Sequence, residues 1–493
     1  MHAVTSQEIP PFFNHQNEAA EFLILRNGFG MLAHDPGLGK TRTALEVYRR
    51  AKIKTPNLKL LIIAPLSLLE AAWHNDIEKF FPGQWSFWNI RTNGAPFRWE
   101  ADVYAVNYEF FQKEEKIKLL LSTIRAQKVM AVLDESSKIK NHSAITTKHL
   151  LAIRSLFDLR VVMSGTPAPN DESEYWAQLE FVRPGLLWGS FNKFRRTYFY
   201  LRGRNGQAIN TQGMVLSRQV MSDLYSKQGA EYAITDDSRR KLFETIGPWI
   251  HAAKKEECLD LPEQVDEVRL VQMGQRQKVA YNQMKRHLVA EIEGQDVVAQ
   301  VALAKLMKLR EITSGFAISE NQEIVETECP KLTELEEILD ELGDRQVIIW
   351  GNFTYEIEKI KDALERRTNA QNLDRGDGES NGVVTLFGGT KDREKSINDF
   401  INGKARYLVA NPHSAAHGLT FVNCSYQIFF SLDYSSEAFI QAKARTHRAG
   451  QKSTCVYYYI LADGTIDQEV FGVLKRKGDM QELVFRLREK MKP

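Results

Sequence analysis

At 493 residues, with 43% apolar and 26% charged side chains, the chain is long enough for two or three cores and too apolar for a disordered polymer. Its 65 Lys and Arg against 63 Asp and Glu leave a formal charge of +2, a near balance that neither demands nor excludes nucleic acid, which a local basic cleft can hold. Cys258, Cys329, Cys424 and Cys455 lie too far apart for a Cys-x-x-Cys zinc pattern and are too few to staple a chain of this size, which leaves reduced thiols.

The N-terminus has no basic start followed by an apolar core. The longest apolar stretch, 60–73, is too short to span a bilayer and is broken by Pro65, Ser67 and Glu70. A cytoplasmic protein without membrane spans is the expectation.

Along the chain, an apolar strand-like stretch first leads into His34-Asp35-Pro36-Gly37-Leu38-Gly39-Lys40-Thr41, and an amphipathic helix follows from Lys40. That is the setting of a phosphate-cradling loop. Backbone N–H groups of a Gly-rich turn close around phosphates, Lys40 reaches the terminal ones, the Thr41 hydroxyl can hold Mg²⁺, and the helix adds its positive dipole end. His34 stands where the first glycine of the usual eight-residue pattern falls. An ordinary Gly turn between strand and helix is the plain alternative.

Aliphatic runs at 60–64, 103–106, 129–133 and 161–164 then alternate with helical patterns, as do later runs at 347–350, 383–387, 407–410, 428–432 and 456–460. Continuous apolar strands of this kind are buried on both faces, so the fold class expected is α/β, with two lobes each built on a parallel sheet. Asp134 and Glu135 end the run at 129–133. Two acids at the carboxyl end of a buried parallel strand fit nucleotide hydrolysis, with Asp134 holding Mg²⁺ and Glu135 polarising the attacking water; capping the next helix is the alternative. Ser164-Gly165-Thr166-Pro167 closes another strand in a small polar turn, at the edge where open α/β sheets bind ligands.

Residues 171–343 read as mostly helical, rich in aromatics at their start and without a run of strands. Leu261-Pro262 divides the chain into 1–261 and 262–493, with a helical insertion near 270–325. Residues 375–382 read as an exposed turn. Ser435 or Ser436 caps a helix expected to run to Gly450, which puts Gln441, Arg445 and Arg448 on one face. Two guanidinium groups there either stabilise a transferred phosphoryl group or form a solvated basic face. The run from Lys475 through Arg486, Arg488 and Lys490, with Leu483, Val484 and Leu487 on another side, reads as a basic docking helix, with a nucleic-acid arm as the alternative.

In this order, the motifs resemble those of the Swi/Snf-related DNA-dependent ATPases of helicase superfamily two, over about 12–472. Asn14-His15-Gln16 resembles the glutamine motif that reads adenine. Ile63-Ala64-Pro65-Leu66-Ser67 with Trp73, and Val106-Asn107-Tyr108-Glu109, resemble the next two motifs, and the run from Asp134 to Asn141 matches the acid box with its extension. The run from Ser164 to Asn170, followed by Glu174-Tyr175-Trp176, resembles the third motif and its continuation into a helical protrusion. Phe387-Gly388-Gly389-Thr390 with Arg393 and Phe400, the run from Ser414 to Thr420, and the run from Gln441 to Gln451 match the signatures of the second lobe.

The resemblance implies two tandem RecA-like lobes with family-type helical insertions, and ATP with Mg²⁺ as cofactors. It implies catalysis by Lys40, Asp134, Glu135, Arg445 and Arg448, and Mg²⁺ on Thr41 and Asp134. Nucleotide contacts fall on Gln16, Pro36, Gly37, Leu38, Gly39, Lys40, Thr41, Arg42, Gly418 and Gln441. DNA contacts fall on Pro65, Ser67, Asn107, Lys140, Asn352 and Ser414. The activity implied is that of an ATP-driven translocase or remodelling motor on double-stranded or forked DNA, with replication or repair proteins as further partners. A strand-separating DNA or RNA helicase, or a partner-dependent clamp that binds ATP and DNA, are the alternatives. Two positions depart from the family: His34 stands where an acid is usual, and Ser137 where a histidine or another coupling residue is usual. With no chromatin-reading module, zinc site or nuclease core apparent, a compact motor of bacterial or phage type is implied.

Overall fold

A computed structural model of the chain describes residues 11–90, 99–169, 171–203, 207–209, 231–294, 299–319, 321, 323–375, 382–415 and 419–476. Gly418, the turn at 376–381 and the C-terminal run from Lys477 onward lie outside the described residues. The chain divides into two compact units, Met1–Leu259 and Asp260–Pro493.

The first unit is built on strands β1 (Phe29–His34), β2 (Leu58–Ala64), β3 (Phe87–Asn89), β4 (Val103–Asn107), β5 (Lys128–Asp134) and β6 (Leu159–Met163). A small antiparallel hairpin of β7 (Phe199–Arg202) and β8 (Glu231–Ile234) follows, and then β9 (Ile250–Ala253). The main sheet runs β3-β4-β2-β5-β6-β1-β9 with every neighbouring pair parallel. Because side chains alternate across a strand, β2 sends Leu61 and Ile63 into one core and Leu60 and Ile62 into the other. β5 divides in the same way, with Val129, Ala131 and Leu133 on one face and Met130 and Val132 on the other. Each of these Val, Leu, Ile and Met side chains stabilises the fold by about 1.5–3 kcal/mol when fully buried. Helices α1 (Asn14–Leu25) and α2 (Lys40–Lys54) cover the face that carries Leu60 and Ile62.

The second unit repeats the plan. Strands β10 (Gln264–Val271), β13 (Val347–Trp350), β14 (Gly382–Leu386), β15 (Ala405–Ala410), β16 (Tyr426–Phe429) and β17 (Cys455–Ala462) form a parallel sheet in the order β10-β17-β16-β13-β15-β14. A two-stranded hairpin, β11 (Phe316–Ile318) and β12 (Ile324–Glu326), follows the helices Gln275–Gly294 and Ala299–Thr313. Ile348 and Trp350 of β13 enter one core, Val347 and Ile349 the other. The α/β class with two parallel-sheet lobes is thus what forms. All four cysteines are free thiols, with Cys424 and Cys455 buried. No helix among the described residues is long and apolar enough to cross a membrane.

Two expectations need correction. Residues 171–343 are not strandless, since β7 to β12 all fall there. β10 reads as polar (Gln264-Val265-Asp266-Glu267-Val268-Arg269-Leu270-Val271) because it is a sheet edge exposed along most of its length, and its strand state rests on pairing with all eight residues of β17. The helix begun at Ser435, whose hydroxyl accepts the Ala438 N–H at 3.1 Å, spans only Ser436–Lys443 instead of reaching Gly450. The Arg445 N–H turns to the Ala442 carbonyl, three residues back, while the Lys443 carbonyl accepts from Gln427 Nε2 and the Tyr457 hydroxyl and the Arg445 carbonyl from the Phe421 N–H, so the chain leaves the α-helical ladder there.

Candidate active site

In a parallel sheet the turns after β1, β2, β4, β5 and β6 all open at one edge, and the residues singled out in the first unit collect there. β1 ends at His34 and α2 starts at Lys40, with Gly37 at φ 95° and Gly39 at φ 73°, both left-handed. The left-handed φ of Gly39 favours glycine, and a Cβ there would also lie 2.2 Å from Gln16 Nε2 and displace that amide. Gln16, on α1, donates to the Leu38 carbonyl at 3.2 Å and accepts from the Phe13 N–H at 3.2 Å. The His15 ring reaches the same Leu38 carbonyl at 2.9 Å, so α1 is tied to the crest of the loop. Lys40 Nζ rests on the His34 carbonyl at 2.8 Å. Pro36 packs against Gly165 so closely that a Cβ there would meet Pro36 Cδ at 2.9 Å. Thr41 is half-buried on the first turn of α2. Arg42 donates to the Pro11 carbonyl, and its guanidinium lies 4.1 Å from the Phe12 ring and 4.2 Å from the Phe80 ring, pinning the entry to α1.

Asp134 closes β5, buried, with Oδ2 accepting from Trp73 Nε1 at 2.9 Å and Oδ1 from the Glu135 N–H at 3.0 Å. The Tyr108 hydroxyl donates to the Asp134 carbonyl at 2.8 Å. Burial pushes the Asp134 carboxyl above its ordinary range, while the charge of Lys40 acts against that rise, so loop lysine and strand-end acid feel one another. Glu135 is left-handed at φ 49°, and its side chain makes no cap bond to the turn Ser136–Ile139, which removes helix capping as its role. A non-glycine residue in this region costs about 1–2 kcal/mol, and such strain gathers at functional sites.

Two participants, Gln178 and His251, escaped the sequence reading. Gln178 accepts from Ser136 Oγ at 2.6 Å and donates to the Pro167 carbonyl, joining the acid turn to the turn after β6. A glutamine in the apolar helix Tyr175–Val182 was the available signal. His251 Nδ1 faces His34 Nε2 at 2.8 Å, and His15 meets the His34 ring edge-on. Burial, then the charges of Lys40, His251 and His15, push the His34 pKa down to about 2, so His34 is neutral beneath the loop.

Candidate nucleic-acid contacts sit on the same edge. Pro65 precedes the one-turn helix Leu66–Leu68, in which Ser67 is exposed, and β2 pairs with β4 so that Ala64 lies opposite Asn107. Asn107 Nδ2 donates to Glu109 at 2.7 Å, and Lys140 Nζ lies 3.2 Å from Glu174. In the second unit, Arg445 Nη1 and Arg448 Nη1 both donate to the Leu419 carbonyl, at 3.0 and 3.1 Å, so the two converge although no helical face joins them. Gln441 is buried and donates to Glu437 at 3.3 Å. Asn352 bonds to Ser431, and the Ser414 carbonyl accepts from Arg393.

A sequence profile of the SNF2-related domain matches residues 15–315. The chain belongs to the SNF2-related family. A profile of the helicase conserved C-terminal domain matches residues 330–450, so both units of this SNF2-related chain are accounted for. Its relatives include an uncharacterized ATP-dependent helicase of Mycoplasma pneumoniae, 26% identical over 497 residues that cover 97% of this chain and 42% of the relative. The putative protein p41 of Acyrthosiphon pisum secondary endosymbiont phage 1 is 25% identical, with 91% of this chain and 92% of p41 covered. Among solved structures, a Sulfolobus solfataricus SWI2/SNF2 ATPase core in complex with dsDNA aligns at a TM-score of 0.42 and 21% identity, covering 97% of this chain and 93% of that one. The chain spans about two fifths of the length of the first curated relatives it matches.

Proposed function

We propose that this SNF2-related chain is an ATP-driven motor that translocates on double-stranded DNA. The observation that carries the reading is the meeting of a left-handed glycine loop, Lys40 and the buried acid Asp134 at the carboxyl edge of one parallel sheet. Gln16 reads the base, Pro36 to Arg42 shape the phosphate loop, and Lys40 binds the terminal phosphates. Thr41 and Asp134, a hydroxyl and a carboxylate, are hard oxygen donors of the kind Mg²⁺ takes; there the ion would offset phosphate charge. Glu135 orients the attacking water. Arg445 and Arg448 act on the phosphates and Gly418 and Gln441 contact the nucleotide, and the ATP-binding half ends near 261 with the second half after it. Pro65, Ser67, Asn107, Lys140, Asn352 and Ser414 meet the DNA backbone. Backbone contacts carry little sequence information, so binding is salt-sensitive and sequence-tolerant. On this reading the protein works inside the cell, on DNA.

The test is steady-state ATP hydrolysis without nucleic acid and with single-stranded, duplex and forked DNA and RNA, using Glu135→Gln as the blank. Strong stimulation by duplex supports the motor. Stimulation by single strands or RNA alone would replace it with a strand-separating helicase, and a flat response with a partner-dependent clamp.

A further inference from the structure

At the carboxyl edge of the second sheet, three loops are stitched together by polar side chains. Asn411, after β15, donates to the Asn352 carbonyl after β13 at 3.0 Å, and Asn352 Nδ2 donates to the Ser431 carbonyl after β16 at 2.8 Å. Asn411 Oδ1 also accepts the N–H groups of His413 and Ser414, shaping the short turn Pro412–Ala415. Beside these loops sits Arg310, from the helix Ala299–Thr313, with a side chain only 4% exposed. Its charge lies 5.1 Å from the Phe353 ring and 4.7 Å from the Tyr434 ring, and Nη1 reaches Asp433 Oδ1 at 3.4 Å. The other oxygen of Asp433 meets His413 Nε2 at 2.5 Å, and that imidazole is more than half exposed.

We propose that Arg310, Asp433 and His413 form a clasp that presets the 411–415 turn, and with it Ser414, for contact with the DNA backbone. Arg310 and His413 are positioning residues, and the proposal rests on the duplex-motor reading. A buried cation is costly unless a carboxylate balances it, so Arg310 holds Asp433 in place. Although burial alone would raise the Asp433 carboxyl, the bond to His413 and the charge of Arg310 hold it below its ordinary range. The fixed carboxylate then leaves one oxygen aimed outward, which captures His413 and removes freedom that the turn would otherwise lose on binding.

The experiment measures ATP turnover against duplex concentration for wild type, His413→Ala, His413→Gln and Arg310→Lys, with thermal melts of each. His413 is exposed, so His413→Ala tests the clasp without endangering the fold. The expected result for His413→Ala is an increase of about tenfold in the duplex concentration giving half-maximal stimulation, as loss of a preset contact implies. Its melting temperature, its KM for ATP and its kcat at saturating duplex stay at wild-type values. His413→Gln, whose amide N–H can reach Asp433, returns the midpoint toward wild type, and Arg310→Lys, without the planar fork, shifts it upward. An unmoved midpoint in His413→Ala, or a shift of equal size in His413→Gln, overturns the clasp alone. A wild type that duplex does not stimulate overturns the motor reading and the clasp with it.

Discussion

Lys40 rests on a backbone carbonyl of its own loop, a bond that an incoming phosphate can replace with a charge-assisted one. Lys40→Ala should therefore lower ATP turnover by at least about 100-fold, and should lower the melting temperature of the first unit as well, since the charge that favours the buried Asp134 carboxylate is lost. Isothermal titration with ATP beside a thermal melt checks both halves; wild-type turnover in the variant would remove the phosphate-loop assignment. His34 supplies a pH prediction at the same scale. Its pKa stands near 2 in the fold against an ordinary 6.5, so below pH 6.5 the unfolded chain binds a proton that the folded chain refuses. Stability is complete above pH 6.5 and falls by about 1.4 kcal/mol per pH unit as pH drops toward the folded value. His251 is also lowered, chiefly by burial, and adds to the fall in the same direction. Urea unfolding at pH 7.5, 6.5 and 5.5 should show the decline, and His34→Gln should reduce it, leaving the share due to His251.

Among elements, the strands most legible in the sequence are those whose pattern is local. β2, β5, β13 and β15 are runs of apolar residues buried on both faces, and hydropathy alone marks them. β10 and β9 were not legible, one because its exposed edge reads as loop and the other because four residues carry no period. The helix from Ser436 shows the opposite failure: its N-cap was readable, but past its end the Lys443 and Arg445 carbonyls go to Gln427, Tyr457 and Phe421, none of them near in sequence. Packing between elements also supports a stability prediction. Lys331, 1% exposed, pairs with Asp467 Oδ2 at 2.5 Å, while Asp467 Oδ1 accepts from Thr313. This pair ties the helices Pro330–Leu342, Ile466–Lys475 and Ala299–Thr313 together. Lys331→Met leaves the carboxylate uncompensated and should destabilise the second unit by about 3–5 kcal/mol, read as a drop in its denaturant midpoint. A loss below about 1 kcal/mol would mean that the Thr313 and Ala462 donors suffice for Asp467.

For the molecule as a whole, two separately cored units each carry their own polar groups, a left-handed glycine turn with Lys40 and buried Asp134 in the first and two arginines that converge on the Leu419 carbonyl in the second. If the arginines serve turnover, Arg448→Ala should hold ATP affinity within about twofold while kcat falls about 10³-fold, the size of an arginine-finger effect. Equal losses in affinity and kcat would assign Arg448 to ground-state binding instead. What the sequence by itself determined is chemistry whose geometry is set within a few residues: the left-handed glycines before Lys40, the acids ending β5 and the cap at Ser435 are all dictated by neighbouring backbone. Only the tertiary structure decided which distant groups complete them. Trp73 meets Asp134, His251 meets His34, Gln178 meets Ser136, and Arg310 meets Asp433 because strand order and helix packing bring those side chains within reach. Periodicity reports which face of an element is buried; which partner that face meets depends on the order of strands across the sheet, and no local pattern encodes that order.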